Sequence, residues 1–258
     1  MPSQNVYENA VFFENYSALP RSVHGLDGAP EWPRLQEFLP DLAGARVLDL
    51  GCGFGWFCRW AADHGAEGVH GVDIPTNMLE KARSMSQDKH SGITYARANL
   101  DALERPESDS ASYDLVFSSL AFHYLEHWPP LVRLIHRVLR PGGRLVFSVE
   151  HPIFTCPPAR ALMVDPGTGR KYWKLEDYQK EGIRSKPWFV DGVEKQHRTM
   201  ATYINLLLDT GFELANFDEW CPTVDQLRAH PEWETEFIRP MFLLIGAVKT
   251  LRLDEGIV

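Results

Sequence analysis

The sequence predicts an α/β fold in which helices cover both faces of a mainly parallel, doubly wound sheet, with an inserted lid. Three observations support this prediction. Short apolar runs alternate with amphipathic runs from residue 45 to residue 150, a glycine-rich turn follows the first apolar run, and the alternation stops in residues 151–197. Strands that alternate with helices need crossover connections, which give a mainly parallel sheet.

We expect these segments to form a single domain over residues 1–258. Its parts are an N-terminal cap (1–44), a ligand-binding core (45–150), a lid insertion (151–197) and a C-terminal helix with further strands (198–258). A chain of 258 residues, 44% of them hydrophobic, is long enough to bury one core of this kind.

The core begins with a predicted strand, helix and strand. "ARVLDL" (45–50) is a short apolar run, Phe57, Trp60 and Ala61 recur at helical spacing, and "GVHGVD" (68–73) is apolar again. Gly65 stands where a glycine commonly follows the end of a helix. These features predict the first βαβ unit of the sheet.

The remaining core elements continue the same alternation. "TNMLEKARSM" (76–85) is predicted as a helix, and "ITYARAN" (93–99) and "YDLVFSS" (113–119) are predicted as strands. The next helix has Leu131, Ile135 and Val138 on one face, "RPGG" (140–143) is expected to end it, and "RLVFSVE" (144–150) is the fifth strand.

The segment 151–197 has several prolines among its aromatic residues and little periodicity, which predicts an irregular lid loop near a binding site. Regular structure resumes in "TMATYINLLLDTGF" (199–212), a predicted helix with Tyr203, Leu207 and Leu208 on one face. "MFLLIGAVK" (241–249) is predicted as a late strand.

Composition excludes several classes of function. A net charge of −9 and the lack of a basic run argue against binding to nucleic acid. The four cysteines (Cys52, Cys58, Cys156 and Cys221) show no CxxC spacing, so we expect neither a disulfide framework nor a metal site. The N-terminus does not resemble a secretion signal and no run of 18 apolar residues occurs, so we expect a cytoplasmic protein that does not bind membranes.

The turn after the first strand carries the clearest binding signal. Gly51, Gly53 and Gly55 lie where a strand turns into a helix, and Asp73 ends the second strand, where a carboxylate can accept both hydroxyls of a ribose. The third glycine of a dinucleotide-binding G-x-G-x-x-G pattern is replaced by Trp56. The spacing needs no pyrophosphate site and favours a smaller ligand. Trp56 and the absence of a second nucleotide-binding half disfavour an NAD(P)-dependent oxidoreductase.

Residues 45–150 resemble the class I S-adenosylmethionine-dependent methyltransferases. The resemblance is carried by "VLDLGCGFG", "GVDIPTNMLEKAR", "SYDLVFSSLAFHYL" and "VLRPGGRLVFS" taken together. It implies a Rossmann-like methyltransferase fold with a seven-stranded sheet, and S-adenosylmethionine as cofactor with S-adenosylhomocysteine as product. A noncatalytic module that binds S-adenosylmethionine or S-adenosylhomocysteine is the alternative function.

The resemblance also implies which residues contact the cofactor. Asp73 would hold the ribose, and Asn99 stands where the family usually has aspartate at the adenine edge. Tyr16 and Arg21 of the cap are candidates to meet the carboxylate of the cofactor, because a guanidinium binds a carboxylate well. The remaining residues implied are, for the methionine half, Asp49, Gly51, Cys52, Gly53 and Gly55, and, for the adenine and the length of the cofactor, Ile74, Met78, Leu100, Ser118 and Leu120.

Four residues are candidates for catalysis. His123 follows the fourth strand, His151 follows the fifth, His197 precedes the last helix, and Tyr203 lies inside that helix. A histidine near its ordinary pKa can take a proton from an acceptor hydroxyl or ammonium group. We expect His151 and His197, at the two stems of the lid, to approach the acceptor, while a structural role for each histidine remains open.

The sequence favours a small-molecule acceptor that is aromatic or carboxylated. The Asn/Asp-Pro-Pro-aromatic turn of enzymes that methylate bases or glutamine is replaced by "SSLA" (118–121), which argues against nucleic-acid substrates. The lid supplies aromatic and cationic residues, namely Trp173, Tyr178, Trp188, Phe189, Lys171, Arg184, Lys195 and Arg198. The oligomeric state is not predicted.

Overall fold

The protein is built around a seven-stranded sheet, described in a computed structural model that covers residues 4–87, 89–158 and 161–250. In chain order the strands of these residues are β1 (Arg46–Leu50), β2 (Gly68–Asp73), β3 (Ile93–Arg97), β4 (Tyr113–Ser119), β5 (Leu139–Glu150), β6 (Leu162–Val164), β7 (Lys171–Trp173), β8 (Gly182–Trp188), β9 (Val190–His197), β10 (Phe212–Glu219) and β11 (Phe242–Lys249).

The central sheet has the strand order β10-β11-β5-β4-β1-β2-β3. Strand β11 runs antiparallel to both of its neighbours, and the pairs from β5 to β3 are parallel. The order reverses between β1 and β4, and in open sheets of this kind the crevice at that reversal is where ligands bind. The predicted doubly wound, mainly parallel sheet is confirmed.

Helices pack on both faces of this sheet because the strands are apolar on both sides. The α-helices of the described residues are α1 (Ala10–Ser17), α2 (Pro20–Val23), α3 (Trp32–Leu35), α4 (Trp56–Asp63), α5 (Thr76–Ser86), α6 (Trp128–Val138), α7 (Pro152–Thr155), α8 (Met200–Thr210) and α9 (Val224–Ala229). Leu48 and Leu50 of β1 join one buried cluster with α6 and α8. Val47, which points to the opposite face, joins a second cluster with α3 and α4.

The start of β5 and the exposure of Leu208 differ from the sequence-based expectation. Residues 140–143, expected only to end a helix, lie within β5, where the register with β4 shifts between Tyr113 and Leu115 and Gly142 has a φ of +78°. This bulge interrupts the hydrogen bonds between β4 and β5. The strand β5 therefore begins at Leu139, before the apolar run 144–150 that predicts it. Leu208 was expected on the buried face of α8, but 45% of it is exposed because the helix packs through Tyr203 and Leu207.

The lid is regular, which corrects the prediction of an irregular loop. It contains two antiparallel hairpins, β6–β7 and β8–β9. Pro187 lies inside β8 at the register shift between Lys186 and Trp188, where the missing N–H is tolerated. Phe189 has a φ of +60° and forms the tight turn into β9. Prolines and short strands hid the alternation of exposed and half-buried residues that β8 shows.

Some of the predicted segments extend beyond the described residues. Positions 1–3 of the cap, 159–160 of the lid and 251–258 of the C-terminal part lie outside them. Within residues 4–87, 89–158 and 161–250, none of the helices combines the length and apolar character that crossing a bilayer requires.

Candidate active site

The glycine loop after β1 forms the floor of the candidate site. Gly51, Gly53 and Gly55 all have positive φ angles, of 82°, 51° and 69°. A Cβ added at Gly51 would lie 2.3 Å from the Ala121 side chain, and one at Gly55 would lie 2.2 Å from the Tyr95 hydroxyl, whereas one at Gly53 would meet no atom within 4 Å. The outer glycines are therefore needed for packing, and Gly53 borders open space.

Asp73 stands beside this open space at the end of β2. Its Oδ2 accepts a hydrogen bond of 2.6 Å from the Gly53 amide, and its Oδ1 accepts one of 2.7 Å from the Ile74 amide. Burial raises the pKa of Asp73 to about 6, although the hydrogen bonds from the two backbone amides oppose the rise. Each carboxylate oxygen keeps a second lone pair for a ligand hydroxyl.

A cavity of about 700 Å³, called here the first chamber, opens above the loop. Of the fourteen residues predicted to contact a cofactor, the nine that line this chamber are Tyr16, Gly51, Gly53, Asp73, Ile74, Met78, Asn99, Leu100 and Leu120. Asn99 Oδ1 accepts a 3.0 Å hydrogen bond from the Asp101 amide, which fixes the orientation of its side-chain amide.

Five predicted contact residues do not line the first chamber: Arg21, which is described below, and four residues of the loop and its surroundings. Cys52 and Gly55 belong to the buried side of the loop. Ser118 donates a 2.7 Å hydrogen bond to the Leu50 carbonyl, so it supports the loop from below. Asp49 is 2% exposed, and burial raises its pKa to about 7 while the Cys58 thiol donates a 3.1 Å hydrogen bond to it.

A second cavity of about 1040 Å³, the second chamber, adjoins the first. The residues that line both chambers are Tyr7, Tyr16, Ser119, Leu120 and Tyr124. The Tyr7 and Tyr124 hydroxyls lie 3.2 Å apart, and Leu120 has a φ of +53° at the end of β4. The remaining walls come from the cap, the lid and the ends of β5 and β11, including Phe154, Trp188 and Phe242.

Arg21 lines the second chamber, although it was expected at the cofactor. Its Nη2 donates to both Oε atoms of Glu31 at 3.0 Å, and Glu31 is 1% exposed. A buried carboxylate that is paired in this way anchors the guanidinium at the chamber wall. Both contacts use the same nitrogen of Arg21.

His123 is the one candidate base among the four that lines a chamber. The Glu150 amide donates a 3.2 Å hydrogen bond to His123 Nδ1, so in the neutral ring the proton lies on Nε2. Burial lowers the pKa of His123 to about 3, and the neighbouring Lys195 and Arg198 also lower it. At neutral pH His123 is therefore a neutral imidazole that carries its proton on Nε2.

His151 and His197 were expected to approach the acceptor, but the structure places neither residue in the lining of a chamber. His151 accepts from the Ile153 amide at 3.0 Å and donates to Glu219 at 2.8 Å. His197 lies 3.0 Å from the Thr155 hydroxyl and donates to the Tyr178 carbonyl at 2.8 Å. Both imidazoles are fully buried; His151 ties the lid to β10 through Glu219, and His197 joins two segments of the lid.

Tyr203 is also remote from the chambers. It lies in the core cluster, with its ring 5.8 Å from Trp128 and 6.5 Å from Phe147. The helical spacing of α8 correctly predicts that Tyr203 is buried. A place in the core cluster gives no support to a catalytic role.

Several chamber residues were missed by reasoning from sequence. Tyr124 directly follows His123 in the turn after β4, so its place in the chain was a usable signal. Tyr7 lies in the N-terminal cap, which the strand order does not position. Lys186 and Glu150 reach the second chamber from β8 and β5, and Phe154 from α7 between them.

Comparison with known proteins agrees with this geometry. Residues 48–147 match a methyltransferase domain family. A solved S-adenosylmethionine-dependent methyltransferase from Mesorhizobium loti is 48% identical, with a TM-score of 0.81 over 87% of this chain and 100% of that one. An uncharacterized protein of Haemophilus influenzae is 34% identical over 252 residues, which are 95% of this chain and 97% of that protein.

A malonyl-[acyl-carrier protein] O-methyltransferase of Enterobacter lignolyticus is 38% identical over 110 residues. This match spans 43% of the chain and 41% of that protein. Because the Mesorhizobium loti methyltransferase is matched over its whole length, the chain belongs to the S-adenosylmethionine-dependent methyltransferases.

Proposed function

We propose that the protein binds S-adenosylmethionine in the first chamber and transfers its methyl group, by in-line displacement, to a small molecule held in the second chamber. The observation that carries this proposal is the shared wall between the two chambers, formed by Tyr7, Tyr16, Ser119, Leu120 and Tyr124. Because the same five residues line both chambers, a donor in one and an acceptor in the other would lie side by side and away from bulk solvent, which favours transfer over hydrolysis.

The residues of the first chamber fit the cofactor that the family uses. Asp73 keeps a lone pair on each oxygen for the two ribose hydroxyls, and Gly53 leaves the space that a Cβ would fill. Ile74, Met78 and Leu100 provide apolar surface for a flat base. Asn99 would meet the adenine edge, and Tyr16 would lie at the methionine end.

S-adenosylmethionine supplies a methyl group on a sulfonium, an electrophile that needs no activation by the protein. The work left to the chain is to orient the acceptor and exclude water. The aromatic walls of the second chamber, among them Phe154 and Trp188, suit that task. His123 is neutral and donates from Nε2, so it can orient an acceptor atom but not remove its proton.

The match to the Enterobacter methyltransferase leaves more than half of this chain unmatched, so it does not support the same acceptor here. The two chambers also bear on the alternative of a noncatalytic module, in which the lid would fill the acceptor site. The second chamber is a cavity beside the first, with the lid residues Phe154, Lys186 and Trp188 in its walls, which supports an acceptor site.

The first test replaces Asp73 by alanine. Two charge-assisted hydrogen bonds to the ribose, each worth about 1.5–3 kcal/mol, would be lost, so we expect S-adenosylhomocysteine affinity to fall at least tenfold by calorimetry. The exposed Asp191→Asn variant serves as a control and should bind normally. An unchanged affinity in a folded Asp73→Ala protein would rule out the cofactor site.

The second test separates an enzyme from a binding module. Purified protein is incubated with S-adenosylmethionine, with and without a mixture of small metabolites. We expect S-adenosylhomocysteine to accumulate faster with the mixture. Equal rates across fractionated mixtures would favour the noncatalytic alternative.

A further inference from the structure

We propose that Lys186 selects an acceptor with one negative charge on a flat, apolar body, as an aromatic carboxylate has. This inference rests on the proposed function, because it assigns the second chamber to the acceptor. Lys186 belongs to the lid, outside the segment 45–150 that resembles the methyltransferases.

The charged side chains of the second chamber are mostly paired. Its basic lining residues are Arg21, Lys186 and Lys195, and its acidic lining residue is Glu150. Lys195 forms an ion pair with Glu150, and Arg21 is paired with the buried Glu31. Two of the three cations are therefore already neutralised by carboxylates.

Lys186 differs from these two cations. Among the described residues, no carboxylate forms an ion pair with its ammonium group, which donates a 3.1 Å hydrogen bond to the Phe154 carbonyl and lies 5.7 Å from the centroid of the Phe154 ring. Burial lowers the pKa of Lys186, and Glu150, which is already paired with Lys195, opposes this effect only in part. The chamber thus carries one uncompensated positive charge.

Other lid cations that the sequence suggested are held by the protein itself. Arg198 is buried and donates to the Leu125 and Glu126 carbonyls. Arg184 donates to the Cys156 carbonyl at 2.8 Å and to the Lys180 carbonyl. Neither lines the second chamber, so neither competes with Lys186 for an anion.

The other walls define the body of the acceptor. Aromatic rings of Tyr16, Tyr124, Phe154 and Trp188 surround the space, which suits a flat, apolar group. His123 lines the same chamber as a neutral imidazole with its proton on Nε2, which would serve as a donor to a second oxygen of the anion. An ammonium, an imidazole N–H and aromatic walls together favour a monoanion over a neutral or cationic molecule.

The test uses three nearly isosteric probes that differ in charge: benzoate, benzamide and benzamidinium. Each is titrated at neutral pH by calorimetry into protein saturated with S-adenosylhomocysteine. We expect benzoate to bind at least tenfold more tightly than benzamide, and benzamidinium to bind most weakly. Lys186→Met should lower benzoate affinity at least tenfold and leave benzamide within threefold, whereas Lys186→Arg should keep the preference for benzoate.

Lys171→Met removes an exposed lid lysine outside the chamber and is the matched control, which should behave as wild type. Equal affinity for benzoate and benzamide, no benzoate binding, or an unchanged preference in Lys186→Met would overturn the inference. Affinity for S-adenosylhomocysteine is measured first for every variant. Its absence in the wild type would count against the proposed function, while normal affinity without a charge preference would count against Lys186 alone.

Discussion

Replacing Asp49 by asparagine tests the electrostatics beneath the glycine loop. Asp49 is 2% exposed, and burial raises the pKa of its carboxyl group from 3.8 to about 7. The Cys58 thiol donates to it, and no cation is paired with it among the described residues. The side chain is therefore protonated in the folded protein over a range of pH in which it is ionised in the unfolded chain.

The raised pKa of Asp49 makes the folded protein less stable as the pH rises. Because the folded pKa lies above the unfolded pKa, the favourable contribution of Asp49 is complete below about pH 4 and is lost as the pH rises to about 7. One pKa unit corresponds to about 1.4 kcal/mol, so the folded protein loses about 3 kcal/mol from this group between about pH 5 and pH 8. Asparagine has the same shape and no such loss.

The assay is urea unfolding of the ligand-free protein, followed by circular dichroism at several values of pH. We expect the stability of Asp49→Asn relative to wild type to increase by about 3 kcal/mol between about pH 5 and pH 8. The control Asp191→Asn changes an exposed carboxylate and should show no comparable trend. A stability difference that stays constant across this range would show that the pKa of Asp49 is not raised.

Two further predictions concern the loop and the buried histidines. Gly53→Val should lower S-adenosylhomocysteine affinity at least tenfold, because its side chain would enter the first chamber; Gly142→Val, which also has a positive φ and open space but lies in the bulge of β5, is the matched control and should keep the affinity. His151→Ala and His197→Ala should each lower the free energy of unfolding by about 1–3 kcal/mol through unpaired buried groups, with S-adenosylhomocysteine affinity unchanged. Wild-type stability in both histidine variants would contradict the structural role given to them.

The glycine loop and Asp73 could be predicted from sequence because short-range signals define both. A glycine run directly after an apolar strand fixes the loop, and Asp73 ends the next strand of the same βαβ unit. Parallel strands end at one edge of a sheet, so two local patterns were enough to place both groups beside each other. The hydrogen bond from the Gly53 amide to Asp73 is the result of that arrangement.

The second chamber could not be predicted in the same way, because its walls come from segments that are distant in the chain. Tyr7 of the cap meets Tyr124 after β4, and Lys195 of the lid meets Glu150 at the end of β5. None of these pairings leaves a periodic signal in the sequence. The lid hairpins were obscured as well, since Pro187 falls within a strand that tolerates it only at a register shift.

The hydrogen-bond partners of the three histidines could not be predicted from sequence. Position after a strand predicts that an imidazole is near the crevice, but catalysis by a base also needs a ring nitrogen free to take a proton. In His123 and His151 that nitrogen accepts from a backbone amide, and in His197 it faces the Thr155 hydroxyl. A protein that commits all three acceptor nitrogens in this way is suited to an acceptor that arrives with its lone pair already free. A carboxylate held by Lys186 meets that requirement, because its oxygens need no deprotonation at neutral pH.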